Sequence, residues 1–267
     1  MEENKKFTKK KADICICIKN RAACVDSFFD EIKKQDCFKD LNIIVCDGRS
    51  FDDTAQNLIY IKSAYGYNQM KILQVKEGES YIDAMNLVLN NTVSDYICWI
   101  DSDDFMSANK ISEQIKYLDE HGDVDVVTTS IILPNEKAIS NTLINLDDEI
   151  ITKALEKGIP MCNICHFQSA MFRRKCLKKF VNNKYFFDEY IGGRAGEGFM
   201  YMLHFLGYKF ANINTCQYVY TIGILKDSMT NKIEPIFANS INEMDYDTKK
   251  EEFKKLMKKY NSKTKDE

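Results

Sequence analysis

Residues 96–104 read Tyr-Ile-Cys-Trp-Ile-Asp-Ser-Asp-Asp, an apolar run followed at once by a cluster of carboxylates. A short, continuously apolar run is typical of a strand that is buried on both faces of a parallel sheet. In an open sheet of this kind, ligands bind beyond the carboxyl ends of the strands. The stretch therefore predicts an α/β fold in which Asp101, Asp103 and Asp104 lie at the ligand-binding edge.

Similar runs recur along the chain and alternate with segments of helical period. We predict strands at residues 13–18, 41–46, 70–75, 96–100 and 124–133. Between them, apolar residues recur at helical spacing, as at Val25, Phe28, Phe29 and Ile32. The alternation predicts a mostly parallel sheet joined by four or five right-handed crossovers. From 134 to 165 no period is clear, and a further helix is predicted at 197–206.

The composition favours a globular protein and argues against several partners. The chain has 267 residues, of which 45% are hydrophobic and 29% charged. A net charge of −3 gives no positive field, so no nucleic-acid partner is expected. The N-terminal residues lack the apolar stretch of a signal peptide, and we expect a cytoplasmic location. The strand cysteines are then buried thiols without a disulfide framework.

A Cys-Xaa-Xaa-Cys-His string is formed by Cys162, Cys165 and His166. In an exported protein this string would indicate covalent haem attachment, and in another setting it would be half of a zinc site. We expect neither, because no export signal and no second ligand pair are found.

The carboxylates after residue 100 suit a divalent cation. Alternate acids offer hard oxygen ligands to Mg²⁺ or Mn²⁺, and a diphosphate would complete the coordination sphere. The alternative is a solvated acidic turn that caps the helix beginning near Ala108. A phosphatase with an Asp-Xaa-Asp nucleophile fits less well, because Phe105 follows Asp104 and the motif lies far from the start of the chain.

A second polar cluster, at residues 47–54, follows the second predicted strand and reads Asp-Gly-Arg-Ser-Phe-Asp-Asp-Thr. By itself it is typical of a loop whose Ser or Asp caps the next helix. Its place at the same sheet edge would also let Asp47 accept a hydrogen bond from a nucleotide base. Neither a dinucleotide-binding glycine motif nor a P-loop occurs, which argues against a nicotinamide cofactor and ATP hydrolysis. No glycine-rich loop with a basic residue supports a nucleotidyltransferase.

Several motifs, in this order, resemble glycosyltransferase family 2 enzymes of the GT-A fold. They lie at residues 15–21, 47–54, 83–86 and 100–104, and the downstream stretches 166–174 and 187–209 resemble the acceptor half of the same family. The resemblance implies a Rossmann-like sandwich that binds a nucleotide diphospho-sugar. It divides the chain into a polar extension (1–11), a nucleotide-sugar-binding half (12–133), an acceptor-binding half (134–240) and a Lys-rich tail (241–267).

The resemblance also implies a role for individual residues around a UDP-sugar donor. Asp47 would bind uracil, and Asp101 would lie against ribose and diphosphate. Asp103 would be the main ligand of Mn²⁺ or Mg²⁺, with Asp101 and Asp104 beside it. The remaining residues expected at the donor site are Ile18, Asn20, Arg21, Asp83, Ser102 and His166, of which His166 either contacts the diphosphate or fills a packed turn.

Members of the family that invert the anomeric centre transfer the sugar to a hydroxyl of a glycan, a lipid-linked sugar or a protein, and a carboxylate acts as the base. The family's Glu-Asp pair is here Glu197-Gly198, so Glu197 is our candidate for the catalytic base. A Glu at a helix start also stabilises the helix dipole. The missing Asp leaves open a weak or inactive sugar-nucleotide-binding partner subunit. We expect His204, in mid-helix, to be structural.

The tail carries apolar residues at helical spacing among lysines, namely Phe253, Leu256, Met257 and Tyr260. Such a segment either contacts the inner face of the membrane peripherally or packs as a terminal helix on its own domain.

Overall fold

The structure is a computed structural model that describes residues 8–64, 66–133, 138–140, 148–159, 161–180, 182–186, 195–219, 245–248, 250–251 and 254–255. The aromatic and acidic residues at 187–190, the glycines at 192–193 and the four apolar tail residues named above lie outside this set. The predicted division into halves is therefore described only in part and stays a prediction.

Strands and helices alternate through the first 133 residues, as the sequence predicts. The strands are β1 (Ala12–Ile18), β2 (Leu41–Asp47), β3 (Met70–Gln74), β4 (Tyr96–Trp99), β5 (Phe105–Met106), β6 (Val126–Leu133), β7 (Ala138–Ser140), β8 (Met171–Arg173) and β9 (Phe210–Val219). The helices are α1 (Val25–Lys33), α2 (Thr54–Ala64), α3 (Tyr81–Asn90), α4 (Lys110–Glu120), α5 (Asp148–Glu156) and α6 (Ala195–Phe205). Short 3₁₀ helices include Met161–Asn163, Phe167–Ser169 and Arg174–Lys179.

The described strands form one nine-stranded sheet in the order β3-β2-β1-β4-β8-β6-β9-β5, with β7 paired to β6. Strands β1 to β4, β6 and β9 run in one direction, and β5, β7 and β8 run in the other. The predicted α/β class with a mostly parallel sheet is confirmed. The sequence does not predict that β8 separates β4 from β6, because a three-residue strand is too short to show a period.

Strand residues alternate between two cores, one on each face of the sheet. Ile14 and Ile16 of β1 pack on the side of α1, α2 and α4, whereas Cys15 belongs to the core on the side of α3 and α6. All three residues are fully buried. Burial on both faces explains why the strands read as continuous apolar runs rather than as alternating ones.

Helix α6 packs tightly against the 3₁₀ helix Phe167–Ser169. A Cβ added at Gly196 would lie 2.3 Å from the Phe167 ring, so a side chain at this position requires the neighbouring ring to move. Phe167 also packs against Trp99 of β4, with 5.3 Å between ring centroids. One aromatic side chain therefore connects the start of α6 to the end of β4.

One described residue of the tail, Tyr246, packs on the domain. The Tyr246 ring lies 5.5 Å from the Phe205 ring and 6.2 Å from the His204 ring, at the end of α6. This contact favours a terminal segment that folds back on its own domain, and a membrane contact of the tail remains a prediction. None of the described helices has both the length and the apolar content that crossing a bilayer requires.

Candidate functional site

The loops after β1 and β2 are joined by hydrogen bonds at the carboxyl edge of the sheet. The Asn20 backbone N–H donates to Ser50 Oγ at 2.9 Å, and Asn20 Oδ1 accepts from the Phe51 N–H at 3.1 Å. Asn20 has a φ of 53°, a left-handed conformation that asparagine adopts more readily than most residues. The Ile18 carbonyl accepts from the Gly48 N–H at 2.8 Å. These bonds fix the two loops as one surface.

Asp47, the last residue of β2, is 1% exposed and lies between this surface and β3. Its Oδ1 accepts from Ser50 Oγ at 2.6 Å, and its Oδ2 accepts from Gln74 Nε2 at 2.9 Å. Sequence reasoning missed Gln74. The feature that could have indicated Gln74 is its position at the end of β3, where it lies in register with Asp47. The two donors hold the carboxylate in a fixed orientation, as an acceptor for a ligand N–H requires.

The loop after β4 presents Asp101 and Asp103. Trp99 Nε1 donates to Asp101 Oδ1 at 3.1 Å, and the Gln168 side chain also hydrogen-bonds Asp101. Burial, together with the negative charge of Asp103, raises the pKa of Asp101 to about 6. Gln168, from the 3₁₀ helix before β8, is a second residue that sequence reasoning did not place at the site.

Asp103 forms an ion pair with Arg21, a residue of the loop after β1. Arg21 Nη2 lies 3.5 Å from Asp103 Oδ2, and the two side chains are 11% and 18% exposed. The Arg21 backbone is itself held, because its N–H donates to Thr54 Oγ1 at 2.7 Å. The sequence-predicted residues Arg21, Asp101 and Asp103 therefore lie together, beside the loop that carries Asn20.

Asp104 is directed into the protein. It is 4% exposed, and its Oδ2 accepts from the Tyr218 hydroxyl at 2.6 Å. Burial, with the charges of Asp104 and Asp101, raises the pKa of the Tyr218 phenol well above its usual value. The contact gives Asp104 an anchoring role in its loop, and nothing in the contact itself supports the predicted metal-binding role. Tyr218 follows Asp104 by 114 residues, and no sequence motif indicated it.

Three further residues were predicted for the donor site, namely Asp83, His166 and Ser102. Asp83 caps α3, since its Oδ2 accepts from the Ser80 N–H and Ser80 Oγ, each at 2.8 Å. His166 precedes the 3₁₀ helix Phe167–Ser169, and burial lowers the pKa of its imidazole to about 4. Ser102, between the two acidic residues of its loop, is 8% exposed. Helix capping is sufficient to explain the hydrogen bonds of Asp83, so its role at the nucleotide stays a prediction.

Glu197 lies in the first turn of α6 and is 9% exposed. Gly196, the residue before it, contacts Phe167 closely, and Phe167 packs on Trp99, whose indole binds Asp101. The packing therefore brings the start of α6 to the same side of the sheet as the acidic loop. His204, in mid-helix, is 6% exposed and has Tyr246 Oη 3.4 Å from its Nε2, which agrees with the structural role that we expected.

The structure is similar to solved glycosyltransferases. Staphylococcus aureus TarS 1-349, solved in complex with UDP-GlcNAc, has a TM-score of 0.64 at 16% identity, covering 90% of this chain and 69% of that one. The mannosyltransferase PcManGT of Pyrobaculum calidifontis, solved with GDP-Man and Mn²⁺, has a TM-score of 0.62 at 16% identity, covering 81% and 58%. At these identities the likeness shows the shared fold alone.

One sequence relative is also named as a glycosyltransferase. EpsE of Bacillus subtilis (strain 168), whose glycosyltransferase name is itself an inference, is 24% identical over 147 residues. The match covers 55% of this chain and 50% of EpsE, so the chain spans about half the length of this relative.

The family model described as Glycosyl transferase family 2 matches residues 13–181, which is more than half of the chain. The resemblance drawn from the motifs is thereby confirmed. The chain belongs to glycosyltransferase family 2, and its sheet has the GT-A fold.

Proposed function

We propose that the chain transfers a sugar from a UDP-sugar to an acceptor hydroxyl, with a divalent cation bound at Asp103. The observation that carries the proposal is the meeting of Arg21 and Asp103 at 3.5 Å, beside Asp101, at the carboxyl edge of a GT-A sheet. A cation and a carboxylate side by side suit a ligand that combines a metal ion with an anionic diphosphate.

The residues present fit Mn²⁺ or Mg²⁺ shared with a diphosphate. Asp101 and Asp103 supply hard oxygen ligands, while the described residues contain no cluster of three metal-binding side chains. Arg21 Nε is buried and has no hydrogen-bond partner in the described part of the chain. A phosphate oxygen would satisfy this donor. The cation, when bound, would offset the negative charge that develops on the departing UDP.

The chain's own groups would orient the donor. Asp47, held by Ser50 and Gln74, would accept an N–H of the uracil ring. Arg21 would bind the diphosphate through its guanidinium, which is always charged. Ile18, Asn20 and Ser102 would line the pocket. His166, whose pKa is lowered to about 4, would act near neutral pH as a hydrogen-bonding group and not as a cation.

Glu197 is proposed as the base of an inverting transfer. It would take the proton of the acceptor hydroxyl as that oxygen attacks the anomeric carbon. Its position at the start of α6, which Phe167 links to Trp99, supports this assignment. The acceptor is a hydroxyl of a glycan, a lipid-linked sugar or a protein, and the enzyme would work in the cytoplasm or peripherally at the inner face of the membrane.

A second function is motivated by Gly198, where the family has an acid. A partner subunit that binds the sugar nucleotide without turning it over would keep Asp47 and Asp103 but need no base. It predicts UDP binding in the absence of any transfer.

The test is release of the nucleoside diphosphate, UDP from a panel of UDP-sugars and GDP from GDP-mannose as a comparison, in Mn²⁺ and in chelator. We expect one UDP-sugar to release UDP only with the metal. Release from GDP-mannose alone would contradict the uracil assignment of Asp47. UDP binding without release from any donor, tested with glycan, lipid-linked and protein acceptors, would favour the partner subunit.

A further inference from the structure

The loop that carries Asp101, Asp103 and Asp104 is supported by β9, a strand that comes much later in the chain. Strand β5, which follows the loop directly, pairs antiparallel with the end of β9, with Phe105 opposite Val219 and Met106 opposite Tyr218. Strand β4, which precedes the loop, pairs with β1 and β8. The loop between β4 and β5 is therefore anchored at both ends, and one anchor is the strand that carries Tyr218.

A single hydroxyl contacts both ends of this loop. Tyr218 Oη donates to Asp104 Oδ2 at 2.6 Å and lies 3.4 Å from the Asp101 backbone N–H, which donates to it. A phenol can donate one hydrogen bond and accept another, so the two contacts are compatible. Asp101 and Asp104 bracket Asp103, the proposed principal metal ligand.

The Tyr218 ring is fixed by its surroundings. Tyr218 is 1% exposed, and the fully buried Lys110 places its Nζ 5.5 Å from the centre of the ring. Lys110 Nζ donates to Gln114 Oε1 at 2.9 Å, and Gln114 Nε2 donates to the Ser169 carbonyl at 2.8 Å. These contacts keep the Tyr218 hydroxyl directed at Asp104.

We propose that Tyr218 is a positioning residue, which holds the Asp101–Asp104 loop in the conformation that binds the cation and diphosphate. It acts through Asp104 and through the Asp101 backbone, and it touches neither ligand. The inference rests on the proposed function, because it assumes that Asp103 binds the cation. It also assigns Asp104 to the support of the metal site instead of to the metal itself.

The test measures Mn²⁺ affinity at saturating UDP by calorimetry, and UDP affinity in chelator, for Tyr218→Phe. Loss of a hydrogen bond to a charged group should weaken Mn²⁺ binding roughly tenfold, while metal-free UDP binding changes less than about twofold. The matched control is Tyr67→Phe. Tyr67 is 2% exposed and donates to the Phe29 carbonyl at 3.1 Å, so this change removes an equally buried hydroxyl elsewhere.

Two changes at Asp104 provide a second measurement. They test the proposal even if thermal unfolding shows that Tyr218→Phe does not fold. Asp104→Asn keeps an oxygen that accepts from Tyr218, and it should retain Mn²⁺ affinity within about threefold, whereas Asp104→Ala should lose roughly tenfold. Combining Asp104→Ala with Tyr218→Phe should lose less than the sum of the two single losses, since both changes remove the bond between Tyr218 and Asp104, and only the contact with the Asp101 N–H is lost in addition.

Asp103→Asn separates failure of the inference from failure of the proposed function. Unchanged Mn²⁺ affinity in Tyr218→Phe, with loss in Asp103→Asn, would overturn the positioning role and leave the metal site intact. Equal losses in Asp104→Asn and Asp104→Ala would overturn it by making Asp104 a ligand. No effect of Asp103→Asn would overturn both.

Discussion

Arg21 Nη2 lies 3.5 Å from Asp103 Oδ2, so the loop after β1 and the loop after β4 meet through a cation and a carboxylate. Both side chains are mostly shielded from water, which strengthens their interaction compared with a surface ion pair. In the proposed site the two residues bind ligands of opposite charge, because Arg21 binds the anionic diphosphate and Asp103 binds the cation.

The change Arg21→Gln should therefore act with opposite sign on the two ligands. UDP binding in chelator should weaken roughly tenfold, because a charge-assisted contact to phosphate is lost. Mn²⁺ binding without nucleotide should not weaken, since removing a neighbouring positive charge favours a cation. Calorimetry with UDP and with Mn²⁺ separately measures both. Arg174→Gln, at an exposed position, is the control. Parallel weakening of both ligands would reduce Arg21 to a structural role.

The change Glu197→Gln tests the base. We expect sugar transfer to fall by at least about 100-fold, because proton removal in the chemical step is lost, while UDP affinity stays within about twofold. Transfer is followed by UDP release with an identified acceptor, and binding by calorimetry. A loss of UDP binding that matches the loss of rate would show that Glu197 serves the structure of the donor site.

The stability of the fold at acid pH should depend on His166. Burial lowers its pKa from 6.5 to about 4, so the folded state binds fewer protons than the unfolded state between these values. The stabilisation by the neutral ring is fully present above pH 6.5 and is lost as the pH falls to about 4. In His166→Gln, the unfolding temperature should fall less steeply over this range. An acid limb as steep as that of the unchanged protein would contradict an imidazole that stays neutral in the folded state.

Gly196→Ala should disturb the start of α6. The added Cβ would lie 2.3 Å from the Phe167 ring, and overpacking of this kind costs about 1–3 kcal/mol of the free energy of unfolding. Gly122→Ala is the matched control, because nothing lies within 4 Å of its Cβ position. Thermal or denaturant unfolding compares the two. If both variants were equally stable, the close contact between α6 and Phe167 would be absent in solution.

The parts of the fold that follow from local signals were predictable from the sequence. Strands β1, β2 and β4 are buried on both faces and appear as apolar runs, whereas β3, at the edge of the sheet, is only partly buried. The Asp101–Asp104 cluster follows such a run directly, so its place at the sheet edge was also predictable. The three-residue β8 has no such signal, and its insertion between β4 and β6 depends on tertiary pairing.

The support of the site was harder to predict than its ligands. Gln74 acts because β3 lies in register with β2, and Gln168 acts because a 3₁₀ helix packs on β4. Tyr218 reaches Asp104 across 114 residues of sequence. These contacts arise from strand register and packing, which a motif of consecutive residues does not encode. The motifs indicated Arg21, Asp101 and Asp103 as residues of one site, and the structure brings the three together, while their binding roles stay a prediction.

In the proposed function Asp103 couples UDP binding to a divalent cation, and calorimetric titration of UDP in Mn²⁺ and in chelator measures this coupling. For the unchanged chain, and for a control Asp123→Asn at an exposed position, we expect Mn²⁺ to tighten UDP binding at least about tenfold. Asp103→Asn should bind UDP with one weak affinity in both conditions. An Asp103→Asn chain that still bound UDP more tightly in Mn²⁺, or an unchanged chain indifferent to Mn²⁺, would contradict the account.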